Sequence, residues 1–266
     1  MDASGLSVKE VQALVAQAAD DELPKLARQL RDDERAGVRR ALATALRQAA
    51  KRQQEAERLE GMYAFEEGLA SACGASVLVG LDEVGRGPLA GPLAVGAVVL
   101  PRHPRIARLN DSKQVAPAVR EELAQQIKEE AAAWAVAYVE PAEIDAVGMT
   151  ASLRKAFRAA LAAVEEQAAG IGLVLVDGNP LGIDSRERNV VKGDGKCASI
   201  AAASIVAKVE RDRLMERYDE LYPEYGFASN KGYGSAAHEQ AIRDFGLSPV
   251  HRASFCSRIL QPTLFG

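Results

Sequence analysis

The sequence predicts an α/β fold: a five-stranded mixed sheet flanked by helices, with a helical N-terminal extension in front and further helices towards the C-terminus. Three observations lead there. Up to about residue 72 the chain is dominated by Ala, Leu, Glu, Arg and Gln, with Pro24 its one proline. From Ser76 onward, short apolar runs alternate with longer stretches of helical periodicity. Three strands followed by strand–helix alternation then fit a mixed sheet with helices on both faces. Residues 1–72 are therefore assigned to the extension, 73–258 to the α/β body and 259–266 to a tail.

Each element has its own signal. Ser7 with Glu10 three residues later forms a capping box, so a helix starts at Val8. Asp20 and Asp21 are placed to cap a second helix near Glu22. Val38, Leu42, Leu46 and Ala49 recur at helical spacing in a third, from Ala36 to about Leu59. Residues 77–81 and 93–100 read as buried strands, 118–132 as a helix and 134–139 as a third strand. A helix over 151–169 carries Leu153, Phe157, Leu161 and Val164 on one stripe. Residues 173–176 form a fourth strand ending at Asp177, and 189–192 a fifth ending just before Gly193-Asp194. Helices over 198–218 and 236–245 close the body.

Composition narrows the function. With 48% apolar and 26% charged residues, the chain has the material for an ordinary soluble core. The net charge of -4 argues against a general nucleic-acid coating protein, while a local basic groove on an acidic body stays open. The longest apolar run, 93–100, is too short to span a bilayer, and Met1–Gly5 shows no signal-peptide pattern, so a cytoplasmic protein without membrane attachment is expected. Cys73, Cys197 and Cys256 are widely spaced and read as reduced thiols.

The chemistry lies in the acids. Asp82 and Glu83 follow one strand, Asp177 another and Asp194 a third. Sites in open α/β sheets form in the crevice beyond strand ends, so neighbouring strands would bring the four together. Two unit charges about 4 Å apart repel by roughly 4 kcal/mol at an effective dielectric near 20, so such a cluster needs cations or protons. Oxygen ligands without His or Cys select Mg²⁺ or Mn²⁺. Two such ions suit phosphodiester hydrolysis. A single Asp after a strand is more often a turn former; the case rests on the combination.

Gly85-Arg86-Gly87-Pro88 follows the acid pair. Its glycines let a ligand approach main-chain N–H groups, and the same turn also serves as a tight hairpin connection. Asn110-Asp111-Ser112-Lys113 reads as a turn and cap or as a phosphate contact through Ser112 and Lys113. Lys196, Lys208 and Lys231 are further basic candidates. Tyr233, between Gly232 and Gly234, reads equally as a stacking surface or a packing anchor. His251 is an acid, a phosphate ligand or a structural group.

Together these segments resemble the bacterial type 2 ribonuclease H family, ribonuclease HII. The resemblance runs from about Val77 to Phe255 through Gly80–Pro92, Asn110–Lys113, Val176–Gly178, Lys192–Asp194, Ser199–Asp212, Lys231–Gly234 and His251–Phe255. It implies a ribonuclease H-like fold and an endoribonuclease that uses two Mg²⁺ or Mn²⁺ ions held by Asp82, Glu83, Asp177 and Asp194, with Asp82 bridging. It further implies that Gly85, Arg86 and Gly87 recognise the 2′-hydroxyl of a ribonucleotide joined to DNA. Tyr233 would stack on the next deoxyribose; Ser112, Lys113 and Lys196, read above as polar and basic candidates, are added as substrate-binding residues. The expected substrates are RNA–DNA hybrids and duplex DNA with embedded ribonucleotides, cut 5′ of the ribonucleotide to leave a 3′-hydroxyl and a 5′-phosphate. A monomer is expected. The N-terminal extension departs from short family members.

Two alternatives stand beside this. A type 3 ribonuclease H, active on hybrids only, lacks the Gly-Arg-Gly turn present here. A non-catalytic nucleic-acid-binding module of the same fold predicts a missing acid, and none is missing. Separately, the last residues, with Gln261, Leu264 and Phe265, resemble the short peptide that docks on the bacterial sliding clamp, which makes that clamp a candidate partner.

Overall fold

The computed structural model describes residues 5–260, which divide into two compact units at Glu60/Gly61. No helix among them is long and apolar enough to cross a membrane.

The first unit contains α1 (Val8–Gln17), α2 (Leu23–Gln29) and residues 36–60 of the long helix α3 (Ala36–Ala72). Ser7 and Glu10 make the expected capping box, each side chain bonded to the other's main-chain N–H. Neither Asp20 nor Asp21 caps α2: Glu22 holds that position without a side-chain cap, and Asp20 instead accepts from Arg52 Nε at 2.8 Å. Val11, Val15, Leu23, Leu26, Leu30 and Val38 form the small core of this unit. α3 runs past the expected end near Leu59, through Gly61 and Gly68. Both glycines face open space, so neither marks a chain reversal.

The second unit is built on a sheet of order β3-β2-β1-β4-β5: β1 (Val77–Val84), β2 (Leu93–Val99), β3 (Ala133–Val139), β4 (Ile171–Asp177) and β5 (Glu187–Val190). β1 is antiparallel to β2 and parallel to β4, β2 is antiparallel to β3, and β4 is parallel to β5. The sheet is thus mixed, five-stranded and flanked by helices, as the sequence predicts. The helices are α4 (Pro117–Glu130), α5 (Pro141–Val147), α6 (Met149–Glu165), α7 (Ala198–Leu221), α8 (Phe227–Asn230), α9 (Ala236–Phe245) and α10 (Ala253–Leu260).

Side-chain alternation sorts the two faces. Val79, Leu81, Val95, Ala97, Val174 and Val176 pack with Phe157, Ala160, Leu161 and Val164 of α6. The opposite face meets α7 through glycines. A Cβ at Gly80 would overlap the main chain of Ser199, and one at Gly96 the carbonyl of Ala203. The small residues of Ser199–Ala203 and these two glycines therefore let α7 lie directly on the sheet. β2 is buried along its whole length because both faces are covered, which explains its uninterrupted apolar run.

Candidate active site

The parallel register of β1 and β4 pairs Leu81 with Val176, so Asp82 and Asp177 come next in line, side by side. Asp82 lies two residues after Gly80 and so shares the face covered by α7. Contrary to the expectation that they follow the strand, Asp82 and Glu83 lie inside it. β1 continues through Val84, with Asp82 opposite Gly96 and Glu83 opposite Val95. Asp194 is also displaced from its expected place. β5 ends at Val190, and a left-handed Lys192 (φ 57°) leads into a short 3-10 turn, Gly193–Gly195, that carries the acid. Asp177 Oδ1 accepts from Gly193 N–H at 2.6 Å and so fastens that turn to β4.

Asp82, Glu83, Asp177 and Asp194 line one cleft of about 560 Å³, together with Gly85, Arg86, Gly87, Ser112, Lys113, Ser204, Lys208 and Tyr233. Burial raises the Asp82 carboxyl well above the usual range; Ser204 opposes this, and the charges of Glu83, Asp177 and Asp194 add to it. Burial likewise raises Glu83, against the pull of Arg86, whose Nη1 lies 3.6 Å from its Oε1. Asp194 is raised by burial and then by Asp111 and Asp177.

Among the described residues, no three of these acids are gathered into a ready coordination sphere; they line the cleft wall rather than meet at a point. Their chemistry still fits a hard divalent cation. The donors are all oxygens, and for Asp82, Glu83 and Asp194 both burial and neighbouring carboxylates penalise the negative charge, which a cation relieves.

The Gly85–Arg86–Gly87 turn is set by two arginines that sequence reasoning left without a role. Arg252, fully buried, donates to the carbonyls of Gly85 (2.6 Å), Arg86 (3.1 Å) and Gly91 (2.8 and 3.0 Å). Arg211, also fully buried, donates to the carbonyls of Pro92, Ala90 and Lys231. The guanidinium forks thus hold turn carbonyls inward. Gly85 has a φ of +87°, and a Cβ there would overlap Arg211 Nε, so the position requires glycine twice over. The Arg86 side chain is 66% exposed at the cleft rim.

Ser112 is only 3% exposed and its Oγ lies 3.0 Å from that of Ser204, so it lines the floor of the cleft. Arg120 holds the turn around it by donating to the carbonyls of Ser112 and Val115. Lys196 is not brought to the cleft; its ammonium donates to the Val191 carbonyl. Lys208 lines the cleft in its place, paired with Asp212 at 2.6 Å. Lys231 pairs with Glu216. Tyr233 is 45% exposed, a surface aromatic on a glycine loop rather than a packing anchor. His251 lies away from the acids, buried against His238. Gln261, Leu264 and Phe265 lie outside the described residues.

Comparison with known proteins bears on the whole chain. The family model described as Ribonuclease HII matches residues 79–258, and the one described as Ribonuclease HII N-terminal domain matches residues 7–70. The ribonuclease HII of Enterococcus faecalis is 39% identical over 249 residues, 94% of each chain. The ribonuclease H2 of Pyrococcus horikoshii is similar in structure (TM-score 0.58, 28% identity), over 69% of this chain and 96% of that one. The ribonuclease HII of Archaeoglobus fulgidus, solved in a complex with PCNA, is also similar (TM-score 0.56, 26% identity), over 66% and 93%.

Proposed function

The chain belongs to the ribonuclease HII family and is a metal-dependent endoribonuclease, and from this premise we propose that it incises duplex DNA 5′ of a single embedded ribonucleotide as well as cutting the RNA strand of RNA–DNA hybrids. The observation that carries this is one cleft lined by four carboxylates, a glycine-rich turn and an exposed tyrosine. Asp82, Glu83, Asp177 and Asp194 would hold Mg²⁺ or Mn²⁺, two ions during turnover, which supply activation of water and stabilisation of the leaving oxygen.

The remaining steps belong to the chain itself. The main chain of Gly85–Gly87, braced by Arg252, binds the 2′-hydroxyl. A site built around a hydroxyl rejects the analogue lacking it by roughly 10⁴-fold or more. Tyr233 lies flat on the next deoxyribose, where an added 2′-hydroxyl would not fit. Lys113 and Lys208 meet the phosphates, while Ser112 and Ser204 orient Asp82. The scissile bond on the 5′ side of the ribonucleotide then lies over the acids, and hydrolysis leaves a 3′-hydroxyl and a 5′-phosphate. A cytoplasmic monomer is the setting proposed for this activity.

The test is a duplex with one ribonucleotide, incubated with Mg²⁺ or Mn²⁺. Wild type should cut once, 5′ of the ribonucleotide, and Asp82→Asn should not. An uncut duplex, or undiminished cutting by Asp82→Asn, overturns the proposal. The C-terminal residues Gln261, Leu264 and Phe265 are proposed to dock on the sliding clamp, in keeping with the PCNA complex of the Archaeoglobus relative. A pull-down with purified clamp should lose binding when the chain ends at Leu260; equal capture of both forms removes that partner.

A further inference from the structure

The loop that presents Tyr233 rests on two buried histidines whose hydrogen bonds admit one proton assignment. His251 Nδ1 receives the Ser248 main-chain N–H at 3.0 Å, with Ser248 Oγ at 2.7 Å, so this nitrogen carries no proton. The proton of a neutral His251 must then lie on Nε2, which faces His238 Nε2 at 3.0 Å. His238 Nε2 is therefore the acceptor, and its own proton lies on Nδ1, 2.9 Å from the Tyr233 carbonyl. The chain runs from Ser248 through both rings to Tyr233 with every donor matched to an acceptor. A second proton on either ring would set two N–H groups against each other or drive one against the Ser248 N–H. Tyr225 and Phe227 enclose the pair edge-on, with ring centroids 4.7 Å (Tyr225–His251) and 5.4 Å (Phe227–His238) apart. Burial holds both imidazoles below the usual range.

We propose that His238 and His251 are positioning residues for substrate recognition: a neutral relay of two imidazoles with fixed tautomers that locks the Tyr233 carbonyl and so presents its ring rigidly to the sugar after the ribonucleotide. The role of the ring rests on the function proposed above; the relay itself rests on the hydrogen-bond geometry. The same loop is fastened at its other end, where the Gly232 carbonyl accepts from Leu89 N–H at 2.8 Å and the Lys231 carbonyl from Arg211. The Tyr233 carbonyl also accepts from the Ser235 N–H at 3.0 Å, at the N-cap of α9; among the described residues His238 supplies the side-chain bond to it, and neither imidazole lines the cleft.

Two measurements on the full chain test this. Long-range ¹H–¹⁵N NMR of the wild type at neutral pH should show His238 protonated at Nδ1 alone and His251 at Nε2 alone; any other pair of tautomers, or a cationic ring, overturns the relay. Steady-state kinetics should show that His238→Phe, which keeps a ring but loses both bonds, raises KM for the single-ribonucleotide duplex about tenfold or more and changes kcat much less. Its preference for that duplex over an all-RNA hybrid should fall towards that of Tyr233→Ala. His238→Asn, which can still donate near the Nδ1 position, should recover most of the loss. A folded His238→Phe with wild-type KM and preference overturns the proposal. If Tyr233→Ala keeps the preference, the sugar contact falls instead, and the tautomers alone decide the relay.

Discussion

Replacing Arg252 by Met should cost the enzyme both stability and substrate affinity. The side chain is fully buried, and its hydrogen bonds go to the carbonyls of Gly85, Arg86 and Gly91. Methionine fills a similar space but leaves three inward carbonyls without this donor. Each such loss costs about 1–3 kcal/mol. Removing the guanidinium also relieves the cost of burying a charge, which burial already expresses by lowering its pKa to about 10. A net loss of about 3–5 kcal/mol is expected, as when one partner of a buried charged contact is removed. At roughly 2–4 °C per kcal/mol for a domain of this size, the melting temperature should drop by about 10 °C. The Gly85–Gly87 turn, which lines the cleft, loses the brace on its carbonyls, so kcat/KM for the single-ribonucleotide duplex should fall on the order of 100-fold. Arg252→Lys keeps the charge without the planar fork and should lie between the two. Thermal unfolding and cleavage kinetics read both effects. A melting temperature and KM of Arg252→Met equal to those of wild type would refute the role assigned to the fork.

Gly85→Ala forces an L side chain to φ +87° and into Arg211, so it should lose about 1–2 kcal/mol from the backbone alone and weaken substrate binding, read by KM and urea unfolding; unchanged values count against the close approach. Asp82→Asn removes a buried carboxyl whose charged form is disfavoured by burial and by Glu83, Asp177 and Asp194, so in chelator it should melt at a higher temperature than wild type, while on the function proposed above it should not cleave. The Glu66 carboxyl, on α3, is pushed up to about 7 by burial, with bonds from Ser199 N–H and Oγ opposing the rise. Its folded-state value lies above its ordinary 4.5, so its contribution to stability is full below about pH 4.5 and is lost as pH rises to about 7, a change of about 3 kcal/mol. Glu66→Gln should lack that part of the slope in urea unfolding followed across pH; superimposable wild-type and variant profiles would place the carboxylate elsewhere.

What could be read from the sequence was what depends on near neighbours. Apolar runs and helical stripes marked the strands and α6, and the capping box marked the start of α1. The four acids could be picked out together because each follows an apolar run in the sequence, and all four line one cleft. The strand containing Asp82 and Glu83 was read too short because charged residues look like a terminus. What keeps them in β1 is pairing with β2, a contact some 13 residues away in sequence. Lys196 and Lys208 could not be told apart by type; only the path of α7 across the sheet carries one to the cleft and leaves the other at its start. Arg211, His238 and Arg252 were illegible for a different reason. Their partners are main-chain carbonyls, which every residue has, so nothing in the sequence marks which ones a buried fork will collect.

The same distinction decides how the N-terminal extension should be cut. The sequence texture changes near residue 72, but the compact units divide after Glu60, and residues 61–72 carry groups that the catalytic unit uses. Tyr63, 3% exposed, accepts the main-chain N–H of Ile106 at 3.0 Å. Glu66 receives Ser199 N–H and Oγ at 2.9 and 2.8 Å, at the very start of α7. Ala70 packs with Leu173, Leu175 and Ile200 under the sheet. The first turn of a helix has main-chain N–H groups without internal partners, and here a carboxylate from α3 supplies one. α7 in turn carries Ser204, Lys208 and Arg211. A chain starting at Gly61 should therefore stay folded and cut the single-ribonucleotide duplex, with any loss of affinity showing as a smaller salt dependence of KM if residues 1–60 contact phosphates. A chain starting at Cys73 should lose several kcal/mol, since an unpaired buried donor and a vacated Tyr63 site cost about 1–3 and 3–5 kcal/mol respectively. Circular dichroism and cleavage of both truncations decide it. Equal behaviour of the two would mean that residues 61–72 are part of the appendage after all.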